Sequence, residues 1–135
     1  MADAIRRWDV RWADLDPTQG SEQRGRRPVL VISNDEYNKR FATVTILPLT
    51  KLAGKQRRAY EFEVVLAPGQ GVSTSEASIV MPHQIRAIAK TRLRGSLGEL
   101  RDAAVRVAAY NSGVAAELRA RQVQFRYSSA GGSGD

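Results

Sequence analysis

The first third of the chain carries two apolar patterns that predict β-strands. In residues 8–15, Trp8, Val10 and Trp12 alternate with charged residues, which is the period-2 pattern of a half-buried strand. Residues 28–33 are almost continuously apolar, as expected of a central strand that is buried on both faces. We therefore predict a first strand with one buried face and a second strand in the middle of a sheet.

Four further runs continue the strand pattern through the middle of the chain. Residues 43–50 are rich in β-branched and aliphatic side chains and form the third predicted strand. Residues 60–66 alternate and form the fourth, and the short runs 77–81 and 84–88 form the fifth and sixth. The side chains predicted to point inward in the fourth strand are Tyr60, Phe62 and Val64.

Two segments predict helix rather than strand. Residues 34–41 form a short helical turn, for which Asn34 or Asp35 can serve as the N-cap. Towards the C-terminus the apolar residues recur at helical spacing, with arginines on the other face. The Ser-Leu-Gly-Glu sequence at 96–99 resembles a capping box, so this long helix is predicted to begin there or nearer Leu100.

These elements together predict a mainly β fold with a C-terminal helix, in which the helix covers a small twisted β-barrel. We assign residues 1–127 to a single domain and expect residues 128–135, which are rich in Ser and Gly, to form a flexible tail. Many functions use such a barrel, so the fold class alone does not define the activity.

The composition argues against several kinds of site. The 135 residues include no cysteine and one histidine, His83, so the sequence predicts neither a disulfide framework nor a metal site. The first seven residues contain no apolar stretch like a signal peptide. No run approaches the roughly 20 apolar residues that span a bilayer. We expect a cytoplasmic protein that has no membrane association and needs no cofactor.

The net charge is the first indication of a partner. The chain has 21 Lys and Arg against 14 Asp and Glu, which gives a formal charge of +7 and favours association with polyanions such as nucleic acids. The basic excess is concentrated in residues 24–58, where the only acidic residues are Asp35 and Glu36. A solvated basic face that serves solubility would explain the same charge, so charge alone leaves the function open.

Three sequence blocks stand out by their motifs. The first, residues 14–35, contains an aspartate-rich strand end, then Gly-Ser-Glu-Gln, an Arg-Pro pair and an apolar strand that ends on Ser-Asn-Asp. The second, residues 43–50, ends in Pro-Leu-Thr. The third joins Gln-Ile-Arg at 84–86 to Lys-Thr-Arg-Leu at 90–93. In their motifs, order and spacing, the three blocks resemble the MazF/PemK family of toxins.

The resemblance implies a fold, an activity and partners. Family members have an SH3-like (CcdB/PemK-type) barrel and are metal-independent endoribonucleases that cut single-stranded RNA. In the implied reaction the substrate's own 2′-OH attacks the adjacent phosphate and leaves a 2′,3′-cyclic phosphate and a 5′-OH. The resemblance also implies a homodimer and a type II toxin–antitoxin system, in which an antitoxin with an acidic, poorly ordered segment covers the basic groove.

The resemblance assigns catalysis to Arg27, which precedes a proline, and to Thr50, which ends the third strand. A guanidinium presents a fixed fork of donors to phosphate oxygens and stays protonated, so its role is electrostatic rather than proton transfer. Glu22 is the candidate proton acceptor or the partner that orients Arg27. The alternatives are a surface ion pair for Arg27, simple strand propensity for Thr50 and charge compensation for Glu22.

The resemblance also implies that Ser21, Gln84 and Arg86 line the RNA groove. An amide can bind base edges, and a hydroxyl or guanidinium can hold phosphate, which suits the splayed bases of single-stranded RNA. An ordinary exposed surface is the alternative for each of the three. Relatives more often carry an acidic residue at His83 and Asp at Ala89, so the base preference stays open. We predict that His83 is a structural or surface residue.

Two other functions are compatible with the sequence. A non-catalytic nucleic-acid-binding barrel would use Arg27 and its neighbours only to bind phosphate. A CcdB-like toxin would poison a topoisomerase by protein–protein contact, and it would not require the Gly-Ser-Glu-Gln segment with its Arg-Pro pair. Cleavage of RNA in excess chelator separates the first alternative from an endoribonuclease.

Overall fold

The computed structural model describes residues 4–16, 25–52, 59–73 and 75–133, with side chains described up to residue 118. Single turns of 3₁₀-helix at Pro82–Gln84 and Lys90–Arg92 precede the last two strands. In chain order the strands and α-helices are β1 (Asp9–Asp14), β2 (Arg26–Val31), α1 (Asp35–Arg40), β3 (Thr43–Lys51), β4 (Val64–Leu66), β5 (Ser78–Val80), β6 (Arg86–Ala89), β7 (Leu93–Glu99) and α2 (Ala103–Ser133).

The strands form an antiparallel sheet that curls into a barrel-like shape. The hydrogen-bonded order is β4-β5-β3-β2-β1-β7, and β6 pairs with the first half of β3. Because β6 and β7 follow each other in the chain but lie on opposite sides of the β3-β2-β1 layer, the sheet bends back on itself. The turn at Lys90–Arg92 joins these two edges. The predicted barrel-like β fold with a C-terminal helix is therefore confirmed.

The central strands bury apolar side chains on both faces. Val29, Val31 and Ile46 belong to an inner cluster that draws its residues from β1, β2, β3 and β6. Leu30 and Leu47 point to the opposite face and join an outer cluster with residues of β4, β5 and α2. Since side chains alternate along a strand, only a continuous apolar run can fill both clusters. This explains the run at residues 28–33.

The helix α2 packs against the outer face of the sheet through small residues. Ala109 is fully buried in the outer cluster. A Cβ added at Gly113 would lie 3.3 Å from Leu47 Cδ2 and 3.4 Å from Ile32 Cδ1. A glycine in a helix costs about 1 kcal/mol relative to alanine. Here it allows the helix backbone to approach the sheet closely.

The start of α2 differs from the prediction. Residues 96–99 lie in β7 rather than in a capping box, and Gly98 pairs with a residue of β1 with a φ of +140°. Such a backbone conformation favours glycine and does not begin a helix. The helix begins at Ala103, where the carboxylate of Asp102 accepts a hydrogen bond from the amide of Val105 at 3.0 Å.

The fourth strand is shorter than predicted. Tyr60 and Phe62 are 50% and 43% exposed, so the prediction that they point inward is wrong. The amide of Tyr60 donates to Glu63 Oε1 at 2.8 Å, and the amide of Glu63 donates to the Tyr60 carbonyl at 2.9 Å. These hydrogen bonds form a turn in place of a strand. The prediction holds for Val64, which packs against the outer cluster.

The C-terminal helix extends to Ser133, so its bounds include most of the segment that the sequence predicts to be a tail. The assignment of residues 1–127 to a single domain stays a prediction. Neither α-helix, over the ranges that the structure covers, is long and apolar enough to cross a membrane.

The short helix α1 depends on its N-cap. Asn34 Oδ1 accepts a hydrogen bond from the amide of Tyr37 at 2.8 Å, which confirms Asn34 as the cap. We expect Asn34→Ala to lower the free energy of unfolding by about 1 kcal/mol, because a helix donor loses its partner. Equilibrium urea unfolding measures the change. Asn34→Asp keeps the acceptor and should lose less, so equal stability of the two variants would contradict the prediction.

Candidate active site

Two neighbouring strands bring Arg27 and Thr50 to the same end of the sheet. β2 pairs with β3 so that Val29 lies opposite Pro48. Arg27 is two residues before Val29 in β2, and Thr50 is two residues after Pro48 in β3. The paired register ends at Val29 and Pro48, and its continuation by two residues would bring Arg27 and Thr50 across from each other, about 5 Å apart at Cβ. The two residues to which the resemblance assigned catalysis therefore lie at the same end of the sheet.

Arg27 and Thr50 also belong to the same face of the sheet. Side chains alternate along a strand, so Arg27 shares a face with Val29 and Thr50 shares it with Pro48. Arg27 is exposed and Thr50 is half-buried. An exposed guanidinium beside a hydroxyl that is held within a sheet can bind a phosphate group.

The row of residues that contains the pair continues across the sheet. Thr50 lies opposite Ile79 in β5, and Ile79 lies opposite Val65 in β4. Ile79 is fully buried, whereas Val65 is 44% exposed. The row therefore runs from a charged end at Arg27 to an apolar surface at Val65. The fully buried Ile79 lies between these two ends, so Arg27 and Val65 are separate parts of the surface.

The neighbouring arginine has a different place. Arg26 belongs to the opposite face of β2, and its Nε contacts Asp14 Oδ1 at 3.4 Å. Both side chains of this ion pair are well exposed, so the pair contributes little to stability. Arg26 and Arg27 could not be distinguished by residue type, and the alternation of side chains along β2 separates them.

Residues Ser21 and Glu22 lie outside the described residues, so the roles expected for them stay predictions. The two ends of the segment that contains them are close together. The amide of Leu15 donates to the carbonyl of Gly25 at 2.9 Å, and the amide of Gly25 donates to Asp16 Oδ1 at 3.0 Å. The chain therefore leaves β1 and enters β2 at one point, close to Arg27.

The structure places Gln84 and Arg86 further along the sheet from this pair. Gln84 ends the 3₁₀ turn before β6, and Arg86 begins β6 opposite Ile46 of β3. Both residues are half-buried. Thr50 is four positions after Ile46, which corresponds to about 13 Å along an extended strand. Contact with both sites would therefore require an RNA segment that follows β3.

Arg86 lines a cleft of about 590 Å³ between α2 and the strands β3 and β6. Arg7 and Tyr110 line the same cleft, and the guanidinium of Arg7 lies 4.3 Å from the centre of the Tyr110 ring. Cationic and aromatic side chains of this kind hold the phosphates and bases of single-stranded RNA. Glu117 also lines the cleft, and the RNA-binding role of Arg86 stays a prediction.

His83 lies on the surface, as predicted. Its ring contacts the ring of Phe62 edge-on, with 5.1 Å between the ring centres. Within the described ranges, no three His, Cys, Asp or Glu side chains are grouped as ligands for a metal ion.

The sequence analysis missed a set of contacts at the end of β1. Arg92 donates hydrogen bonds to the main-chain oxygens of Asp14 and Asp16. Arg94 Nη2 contacts the carboxylate of Asp14 at 2.6 Å. The Lys-Thr-Arg-Leu block drew attention to Arg92 but did not show which residues Arg92 contacts, because these residues are more than 70 positions earlier in the chain.

A family model described as a PemK-like, MazF-like toxin of type II toxin–antitoxin systems matches residues 6–109. The chain belongs to this family. The match begins before β1 and ends within α2, so it contains both Arg27 and Thr50 together with the 3₁₀ turn and β6. The family to which the sequence blocks pointed is therefore confirmed.

Individual relatives agree with the family match. The endoribonuclease MazF of Staphylococcus saprophyticus is 38% identical over 98 residues, which are 73% of this chain and 79% of that protein. A crystal structure of MazF from Deinococcus radiodurans has a TM-score of 0.69 at 27% identity, over 83% of this chain and 94% of that one. A mycobacterial endoribonuclease in complex with its cognate antitoxin has a TM-score of 0.62 at 24% identity, over 87% and 95%. At that identity the last likeness shows the fold alone.

Proposed function

We propose that this toxin is an endoribonuclease that cuts single-stranded RNA without a metal ion. The observation that carries the proposal is that the paired strands β2 and β3 bring the exposed Arg27 and the half-buried Thr50 to the same end of the sheet. Membership of the MazF-like toxins and the 38% identity to an endoribonuclease MazF support the same activity. The net charge of +7 suits a polyanionic substrate.

The proposed reaction is an internal transfer within the RNA. The 2′-OH attacks the adjacent phosphorus, the bond to the 5′-oxygen of the next nucleotide breaks, and a 2′,3′-cyclic phosphate and a 5′-OH result. Negative charge grows on the phosphate oxygens in the transition state, and Arg27 is placed to stabilise it. The Thr50 hydroxyl donates a further hydrogen bond to the same phosphate. The proton of the 2′-OH goes to a base or to water, and the leaving 5′-oxygen takes a proton from water.

Further residues complete the proposed site. Glu22 takes the proton of the 2′-OH or orients Arg27, and Ser21 donates a hydrogen bond to phosphate. Gln84 and Arg86 bind nucleotides on one side of the cleaved bond. Arg86 lies opposite Ile46, which is four residues before Thr50 in β3, and Gln84 is two residues before Arg86. The sequence preference of cleavage would then depend on residues such as Gln84, whose amide can bind a base edge.

The proposed partners follow from the family. The toxin acts in the cytoplasm as a homodimer, and a cognate antitoxin silences it. An antitoxin segment rich in acidic residues would neutralise the basic surface and fold as it binds. Antitoxin and RNA would therefore compete for the toxin. Both complexes would weaken as salt concentration rises, because ions screen the charges on which they depend.

Incubation of the protein with single-stranded RNA in excess chelator tests the proposal. We expect the RNA to be cut, with a 2′,3′-cyclic phosphate on one fragment and a 5′-OH on the other. Sequencing of the new 5′-OH ends from a transcript pool then gives the cleavage motif. RNA that is bound but stays intact would contradict the proposal and favour a non-catalytic binding module.

The hydroxyl of Thr50 should matter beyond the shape of its side chain. Thr50→Val keeps the branched shape and removes the hydroxyl, and we expect cleavage to slow by about 10–100-fold, as for a lost hydrogen bond to a charged group. Single-turnover rates measure the effect. Thr43→Val is the matched control, because Thr43 is also half-buried in β3 but lies at its other end. Equal rates for the two variants would count against the role of Thr50.

A further inference from the structure

Three arginines hold the end of β1. Arg92 Nη1 donates hydrogen bonds to the main-chain oxygens of Asp14, at 3.3 Å, and of Asp16. Arg94 Nη2 contacts Asp14 Oδ2 at 2.6 Å, and Arg26 Nε contacts Asp14 Oδ1 at 3.4 Å. Arg92 thus holds the backbone of this strand end, whereas Arg94 and Arg26 contact only a side chain of it.

The strand end that Arg92 holds is tied in turn to the start of β2. Leu15 is fully buried in the inner cluster, and its amide donates to the Gly25 carbonyl. The Gly25 amide donates to the Asp16 carboxylate at 3.0 Å. Gly25 has a φ of +74°, a conformation that glycine adopts without strain. Arg92 therefore fixes the point at which the chain enters β2, two residues before Arg27.

We propose that Arg92 is a positioning residue for RNA cleavage, which acts through the backbone of Asp14 and Asp16 on the placement of Arg27. This inference rests on the proposed function, since it concerns the same site. Arg27 pairs with Ala13, the residue directly before the held strand end. A shift of β1 at this point is therefore passed to the backbone of Arg27 itself.

The chemistry of arginine suits this role. The planar guanidinium carries several N–H donors in a fixed geometry, so one nitrogen can donate to two carbonyls at once. Arg92 is half-buried and reaches these carbonyls from the 3₁₀ turn before β7. Without it the two carbonyls lose their donors and the strand end can move. A misplacement of about 1 Å can slow a reaction by about 100-fold.

The substitution Arg92→Ala tests the inference. We expect kcat to fall by about 10–100-fold, because the reacting geometry changes while the phosphate-binding side chains are all retained. KM should change far less than kcat. The Gly25 amide should exchange its hydrogen faster, because its acceptor Asp16 is no longer held. A residue with a merely structural role would lower the melting temperature without changing kcat of the folded protein.

Arg94→Ala is the matched control. It removes the contact with the same Asp14, together with hydrogen bonds from Arg94 Nη1 to the carbonyls of Thr91 and Leu93, and it keeps the Arg92 side chain. Its kcat and the exchange of the Gly25 amide should stay close to those of the native protein. The conservative variant Arg92→Lys should regain part of kcat, because an ammonium can donate to one of the two carbonyls.

A second pair of variants serves if Arg92→Ala does not fold. Asp16 is exposed, and Asp16→Ala removes the acceptor of the Gly25 amide while Asp16→Asn keeps one. We expect kcat to fall in the first variant and to be largely kept in the second. Native kcat in Arg92→Ala, or in Asp16→Ala, would overturn the inference.

Intact RNA with the native protein would instead contradict the proposed function. Faster hydrogen exchange of the Gly25 amide in Arg92→Ala would still show that Arg92 holds this strand end.

Discussion

Replacement of Arg27 by alanine is expected to slow RNA cleavage by about 10²–10³-fold, the usual effect of removing one preorganised donor from a developing negative charge. Arg27 is exposed at the end of β2 and lies at the same end of the sheet as Thr50. Its contact with phosphate should strengthen in the transition state, so the rate should fall more than RNA affinity. Single-turnover cleavage in excess chelator gives the rate, and filter binding gives the affinity.

Arg26→Ala is the control for this experiment. Arg26 has the same charge and is the preceding residue, but its side chain contacts Asp14 at 3.4 Å on the other face of β2. Its loss should reduce RNA affinity slightly and leave the cleavage step unchanged. Arg27→Lys should be slower than the native protein, because an ammonium lacks the fork of donors that binds two phosphate oxygens. Similar cleavage rates for Arg26→Ala and Arg27→Ala would contradict the assignment.

Leu47→Ala is expected to lower the free energy of unfolding by about 2–5 kcal/mol, because it removes buried atoms and leaves a cavity. Leu47 is fully buried in the outer cluster and pairs with Leu30 across β2 and β3. Its side chain faces α2 at Gly113, where an added Cβ would lie 3.3 Å from Leu47 Cδ2. The sheet cannot collapse easily onto the cavity, since both sides of β3 are paired. Urea unfolding followed by circular dichroism measures the loss.

Leu118→Ala is the matched control for the stability experiment. The substitution is the same, but Leu118 is 55% exposed on α2. Its effect should stay within about 0.5 kcal/mol, as for surface substitutions in general. Similar losses in the free energy of unfolding for Leu47→Ala and Leu118→Ala would contradict the burial of Leu47 beneath α2.

Several elements followed directly from local sequence patterns. The continuous apolar run that became β2 and the β-branched run that became β3 were predicted as strands, and Asn34 was predicted to cap α1. Such predictions succeed because side-chain periodicity and capping depend on neighbours within a few positions. The paired motifs around Arg27 and Thr50 likewise identified the family, which the family match confirmed.

The predictions that failed concern segments whose local pattern fits two structures. Tyr60 and Phe62 alternate like strand residues, yet the hydrogen bonds of Glu63 turn the chain there and leave both rings exposed. Residues 96–99 resemble a helix start, yet pairing with β1 extends β7 through them. A turn closed by nearby hydrogen bonds replaced the strand in the first segment, and pairing with a distant strand replaced the helix start in the second.

The sequence by itself determined that this chain forms a small basic β protein with a C-terminal helix, and its motifs selected Arg27, the arginine directly before the proline. Only the tertiary structure showed that Arg26 and Arg27 belong to opposite faces of β2, with Asp14 as the partner of Arg26. That partner comes from another strand, so neither segment alone reveals it. Only strand pairing brought Thr50 to the same end of the sheet as Arg27, since hydrogen bonding between distant strands leaves no trace in either segment alone.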